Sequence, residues 1–147
     1  MTPNKRETRI WVLLNRAYRQ LHRDMEAEFS AASLPSLRWY DVLWGIERSG
    51  TDGRRAYELT QSLLFEQSNL SRILAQMAKQ GLIRETVCTQ DRRGKVLHIT
   101  EEGAALRRRM WDVYGPVLKR NMQALAKAED LPEFLEILQD TGRGPFS

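Results

Sequence analysis

The stretch that most restricts the fold lies at residues 82–100. Two short runs, "LIRETVC" (82–88) and "VLHIT" (96–100), are rich in Leu, Ile, Val and Thr and flank the charged turn "TQDRRGK" (89–95). Such runs around a glycine-containing turn predict a β-hairpin. Immediately before it, "QSNLSRILAQMAKQG" (67–81) predicts an amphipathic helix with Leu70, Ile73, Leu74 and Met77 on one stripe and Gly81 as a left-handed cap. Upstream, "RRAYELTQSLL" begins extended and turns helical, and "FEQS" connects it tightly to the next helix. Short helix, turn, helix and hairpin make a winged helix-turn-helix.

The rest of the chain reads as helix. Ile10, Leu13, Leu14, Ala17, Leu21, Met25 and Phe29 recur at spacings of three and four over Lys5–Ala32. "SLPS" breaks that helix, and "LRWYDVLWGIE" follows with Leu37, Tyr40, Leu43, Trp44 and Ile46 inward. Thr100 suits an N-cap, with Glu101 and Glu102 in the first turn. A long helix is predicted from there to about Ala128, with Leu106, Met110, Val113, Val117 and Leu118 inward and a kink at Pro116. "LPEFLEILQ" predicts a last short helix. The expected class is mainly α with a small β-hairpin wing. It forms one domain over 1–147, with a winged lobe at 35–100 between flanking helical segments 5–34 and 101–147.

Composition removes several functions. The chain has 147 residues, enough for one core. No apolar run approaches the ~18 residues of a membrane span, and the start does not read as a signal peptide. Cys88 is the one cysteine, so no intrachain disulfide can form, and a cytoplasmic setting is expected. His22 and His98 are the only histidines and lie far apart in sequence. No zinc spacing, phosphate-binding glycine loop or serine elbow is present. Neither enzyme activity, metal nor cofactor is expected. Charge is more telling: residues 53–100 hold eight cations and four anions, which equals the whole net charge of +4.

The polar face of helix 67–81 would show Gln67, Ser68, Asn69, Ser71, Arg72, Gln76 and Lys79. Arg pairs with guanine, and Gln or Asn with adenine, in the major groove of duplex DNA. At the hairpin tip, Arg93 is expected to reach a groove and Lys95 a phosphate. Gly94 would form the tight turn, and Asp91, an anion, would brace the turn rather than touch DNA. Two plainer readings stand beside these: an ordinary solvated helix face, and a winged helix used for protein contact.

"DRRGKVLHITEEG" (91–103) resembles the wing signature of the multiple antibiotic resistance regulator (MarR) family at Asp91, Arg93, Thr100 and Gly103. "LTQSLLFEQSNLSRILAQMAKQGLIRE" (59–85) is similar to its helix-turn-helix, and "LPSLRWYDVLWGIERSG" (34–50) to its second helix. Two departures are Glu66, where a small polar residue is usual, and "HIT" in place of the commoner "LT" ending. The resemblance implies a homodimer held by the first and last two helices, and a pseudo-palindromic operator. The apolar residues of the terminal helices agree: Trp11, Leu14, Phe29, Trp111, Tyr114, Val117, Met122, Leu125, Phe134, Leu135 and Leu138. It also implies a small aromatic or anionic ligand, for which Trp11, His22, Trp39, Tyr40, Trp44 and Trp111 are the candidates beside an ordinary core role. Peroxide-sensing relatives use a cysteine in the first helix; this chain has none there, and Cys88 is read as a small buried hydrophobe.

Overall fold

The computed structural model describes residues 1–64, 69–87 and 94–141, with side chains up to Gln139. Asn4 opens α1 (Lys5–Ala31) through a capping box: its Oδ1 accepts from the Glu7 N–H, and Glu7 Oε2 accepts from the Asn4 N–H. Only Met25 and Phe29 of the expected stripe are buried. Ile10, Leu13 and Leu14 are 40–50% exposed. A helical period selects a face but does not supply its partner.

Ser36 caps α2 (Leu37–Glu47). Its buried residues are Tyr40, Val42, Leu43, Gly45 and Ile46. Val42 therefore takes an inward place that the sequence reading gave to Trp44, which is exposed. After a 3-10 turn at Gly50–Asp52 come β1 (Arg54–Arg55) and α3 (Ala56–Ser62). Next are α4 (Leu70–Lys79), β2 (Ile83–Val87) and β3 (Lys95–Ile99). α5 (Glu101–Met122), a 3-10 turn at Leu125–Lys127 and α6 (Leu131–Thr141) complete the chain. The last long helix is thus shorter than expected and ends before Ala128. It passes through Pro116 without ending there.

The hairpin gains a third strand. The sheet order is β1-β3-β2, all antiparallel, with Ile83 opposite Ile99, Thr86 opposite Val96 and Arg55 opposite Val96 on the other edge. β1 is only two residues long, too short to show any period in sequence. Leu97 of the central strand is 1% exposed and anchors the sheet in the core.

That core collects Phe29, Leu43, Ile46, Leu59, Met77, Leu97 and Met110 with their buried neighbours from α1 to α5. α4 supplies Leu70, Ile73, Leu74 and Met77, each at most 7% exposed. A ten-residue helix is marginal alone. Burying four such side chains contributes roughly 1.5–3 kcal/mol each, so packing rather than propensity holds α4 in place.

The chain divides into two compact units, Met1–Tyr114 and Gly115–Ser147. Within the second unit, α6 shows Phe134, Leu135, Ile137 and Leu138 to solvent, each 41% exposed or more.

Candidate nucleic-acid interface

The buried stripe of α4 fixes what its other side displays. Ser71, Arg72, Ala75, Gln76 and Lys79 are all exposed and fall on one continuous face. Ala75 lies in the middle of that face and offers no bulk, so a groove can approach the backbone closely. Asn69 is exposed too, but it is the N-cap residue rather than part of the helix, and its side chain makes no capping bond. α4 thus begins three residues after the expected start at Gln67. Gln67 and Ser68 lie outside the described residues, as do Glu66, Cys88, Asp91, Arg92 and Arg93.

A Schellman motif ends α4. Gly81 has φ +73°, its N–H donates to the Ala78 carbonyl, and the Leu82 N–H donates to the Met77 carbonyl. The wing and α5 are fastened to this turn. Thr100 Oγ1 donates to the Gly81 carbonyl at 2.6 Å and accepts from the Gly103 N–H at 3.1 Å. The Thr100 N–H donates to the Leu82 carbonyl. Thr100 is thus the N-cap that the sequence suggested, and it also ties the end of α4 to the start of α5.

Lys95 begins β3 opposite Val87. Its ammonium lies 3.2 Å from Glu85 Oε2, with 68% of the lysine side chain exposed. An exposed pair of this kind is worth about 0–1 kcal/mol, so a phosphate can take the ammonium from Glu85 at little cost. Thr86 Oγ1 and His98 Nε2 lie 3.1 Å apart across the same two strands. Gly94 lies next to Arg55, whose Cδ would be 3.6 Å from an added Cβ; the turn that Gly94 is expected to form lies outside the described residues.

The expected ligand residues separate into two groups. Tyr40 stacks on Trp111 with ring centroids 5.9 Å apart, and Tyr114 meets both edge-on. Trp44 lies beside them, with the Arg107 guanidinium 5.2 Å from its ring centre. Trp39 is half-buried against the core. Trp11 is 67% exposed on α1, and His22 packs its ring against Tyr18 of the same helix. Neither is brought to the Tyr40–Trp111 cluster.

Arg107 and Glu47, both missed in sequence, complete this cluster. They form an ion pair with only 14% and 23% of their side chains exposed. Burial works against the Arg107 charge, but the hydrogen bond and attraction of Glu47 outweigh it and hold the guanidinium above its ordinary pKa. Burial also raises Tyr40 and Tyr114 above the usual phenol range, so both stay protonated at neutral pH. Among the described residues no group of His, Cys, Asp and Glu is placed to hold a metal ion, and no helix is long and apolar enough to cross a membrane.

A short helix, a connection, a helix with one buried and one polar face, and a three-stranded wing define a winged helix-turn-helix. Residues 34–94 match the family model described as MarR family. A MarR family transcriptional regulator from Streptomyces coelicolor, solved in complex with DNA, superposes with a TM-score of 0.87 at 20% identity, over 99% of this chain and 92% of that one. AbsC, another MarR family regulator from Streptomyces coelicolor, gives 0.79 at 24% identity, over 97% and 95%. The transcriptional regulator BldR from Sulfolobus solfataricus gives 0.78 at 17%, over 96% and 99%. Residues 34–94 thus resemble the MarR family, and the chain shares the winged fold of these regulators.

Proposed function

We propose that the chain is a cytoplasmic, homodimeric transcription regulator that binds a pseudo-palindromic operator in duplex DNA. The observation that carries this reading is the division of α4: four apolar residues buried on one side, and Ser71, Arg72, Gln76 and Lys79 open on the other. The α4 face enters the major groove, where Arg72 and Gln76 meet base edges. Lys95, with Arg93 beyond it in sequence, meets the phosphate backbone and the neighbouring groove. The Streptomyces coelicolor relative in complex with DNA supports the same use of this fold.

Support for the dimer comes from each unit separately. α1 exposes Ile10, Trp11, Leu13, Leu14 and Tyr18, and α6 exposes Phe134, Leu135, Ile137 and Leu138. A second copy would cover such faces, as obligate interfaces do. Two copies related by a twofold axis read half-sites about one turn, ~34 Å, apart. The regulator is proposed to repress and to be released by a small aromatic anion. The cluster of Tyr40, Trp44, Arg107 and Trp111, whose two tryptophans are exposed, supports that ligand class, since it joins ring faces to one cation.

Binding to mixed genomic fragments, measured at several salt concentrations, tests the reading. The logarithm of affinity should fall against the logarithm of salt with a slope of about −0.9 per phosphate neutralised. Absence of binding at low salt refutes it. Sedimentation of the free protein should give twice the chain mass.

A further inference from the structure

α2 is tied to its surroundings by three carboxylates. Glu26 of α1 accepts from the Leu37 N–H at 2.9 Å, at the start of α2. Glu47, at its end, pairs with Arg107 of α5. Between them Asp41 Oδ2 accepts from the Leu64 N–H at 2.7 Å. The first and last ties belong to the frame of the domain. The middle one reaches the chain that leads into α4.

Leu64 stands at a decisive place. α3 ends with the Leu63 N–H on the Leu59 carbonyl, and Leu63 itself is extended, with φ −73° and ψ 145°. The Leu64 N–H is the first donor beyond the helix, and its side chain is 76% exposed. Its backbone is nevertheless held from α2, 23 residues away. Six residues later α4 begins. A donor in a solvent-exposed turn would ordinarily be satisfied by water; here a half-buried carboxylate fixes its direction.

We propose that Asp41 is a positioning residue for DNA reading: its bond to the Leu64 N–H fixes where the chain leaves α3 and thereby the angle at which α4 presents Arg72 and Gln76. The proposal rests on the DNA-binding reading above. Asp41 is adjacent to Tyr40, whose ring stacks on Trp111 of α5. On a helix, neighbouring residues point about 100° apart. One turn of α2 thus faces the aromatic cluster with Tyr40 and the DNA-reading turn with Asp41, so a shift of α2 moves both together.

Chemistry separates this task from simple folding support. Burial outweighs both the Leu64 bond and the Arg48 charge and raises Asp41 above the ordinary carboxylate pKa. Its charge is also of the wrong sign for DNA, so deleting it should strengthen binding if charge alone mattered.

The test uses the full-length protein, a duplex selected by the wild type from a random-sequence pool, and a scrambled duplex of equal length. Asp41→Ala should lose about tenfold in affinity for the selected duplex, the scale of one hydrogen bond to a charged group. Its affinity for the scrambled duplex should be unchanged or slightly higher. Asp41→Asn keeps an oxygen acceptor and should bind like the wild type. In the wild type, and in Asp41→Asn, the Leu64 amide should exchange with solvent more slowly than a free amide does. Equal losses on both duplexes, no loss for Asp41→Ala, or a free-amide exchange rate at Leu64 in the wild type would each overturn the proposal. Should Asp41→Ala fail to fold, the exchange rate and the Asp41→Asn affinity still decide. A wild type that binds neither duplex refutes the DNA-binding reading, while a slow Leu64 amide would still report the bond itself.

Discussion

Gly103 sits in the first turn of α5, where helix propensity alone favours alanine by about 1 kcal/mol. The structure reverses that expectation. A Cβ on Gly103 would lie 2.1 Å from the Leu82 carbonyl oxygen and 2.9 Å from Ile99 Cγ1. The first distance is more than an ångström short of ordinary contact, and the obstacle is backbone. Relief requires moving α5 away from the Gly81–Leu82 turn. That movement strains the Thr100 bridge, whose hydroxyl joins the Gly81 carbonyl to the Gly103 N–H. Overpacking of this kind costs about 1–3 kcal/mol, enough to cancel the propensity gain and exceed it. Gly103→Ala should therefore lose stability. With a urea slope of about 2 kcal/mol per molar, a loss of about 2 kcal/mol lowers the unfolding midpoint by roughly 1 M. Far-UV circular dichroism during urea unfolding reads this, at fixed protein concentration because the midpoint of the proposed dimer depends on it. Gly81→Ala serves as the comparator, since it meets no atom within 4 Å and bears only the strain of φ +73°. A Gly103→Ala protein as stable as the wild type, or more so, refutes the close approach of α5 to Leu82.

Gln76→Ala should change which bases are preferred by about 1–3 kcal/mol at one position of a selected duplex, whereas Lys79→Ala should weaken all duplexes alike and flatten the salt slope; selection followed by fluorescence anisotropy distinguishes the two. Arg107→Met leaves the Glu47 carboxylate half-buried without its partner and should cost about 1–3 kcal/mol in urea unfolding. Adding Glu47→Gln should restore part of that loss, and strict additivity would show that the pair does not interact. Asp41 has a folded-state pKa raised above 3.8. Its burden on stability is therefore absent below that value, grows as pH rises through the window up to the folded pKa, and is constant above it. Asp41→Asn should unfold at higher urea than the wild type at neutral pH, and the gap should close below pH 3.8.

The readable parts of this fold are those whose partners are close in sequence or whose chemistry is repetitive. The α4 stripe of Leu70, Ile73, Leu74 and Met77 was legible because a period of 3.6 marks a face directly. The caps at Thr100 and Gly81 were legible because few residue types suit those positions. Misreadings follow from context. Ile10, Leu13 and Leu14 have the period of a core face, yet they are 40–50% exposed, because a period marks a face without supplying the surface opposite it. Trp44 falls among the expected inward residues of the second helix, yet it is exposed and lies against Arg107, 63 positions along the chain. β1 has two residues and cannot show alternation.

The candidate site divides along the same line. Ser71, Arg72 and Gln76 could be named because a helix with one apolar face must display its polar residues on the other. The bonds that tie α2 to its neighbours could not be read in the same way, because they span 11, 23 and 60 positions. Glu26, Asp41 and Glu47 look in sequence like ordinary surface acids. What distinguishes them is the partner each finds only after folding: a helix start, a turn before the reading helix, and a guanidinium among aromatic rings. All three bind α2, so α2 is the element through which contact with α1, α5 and the reading turn must agree. Substitutions that alter DNA reading without touching DNA are therefore expected on α2 first, at the residues whose bonds leave the helix.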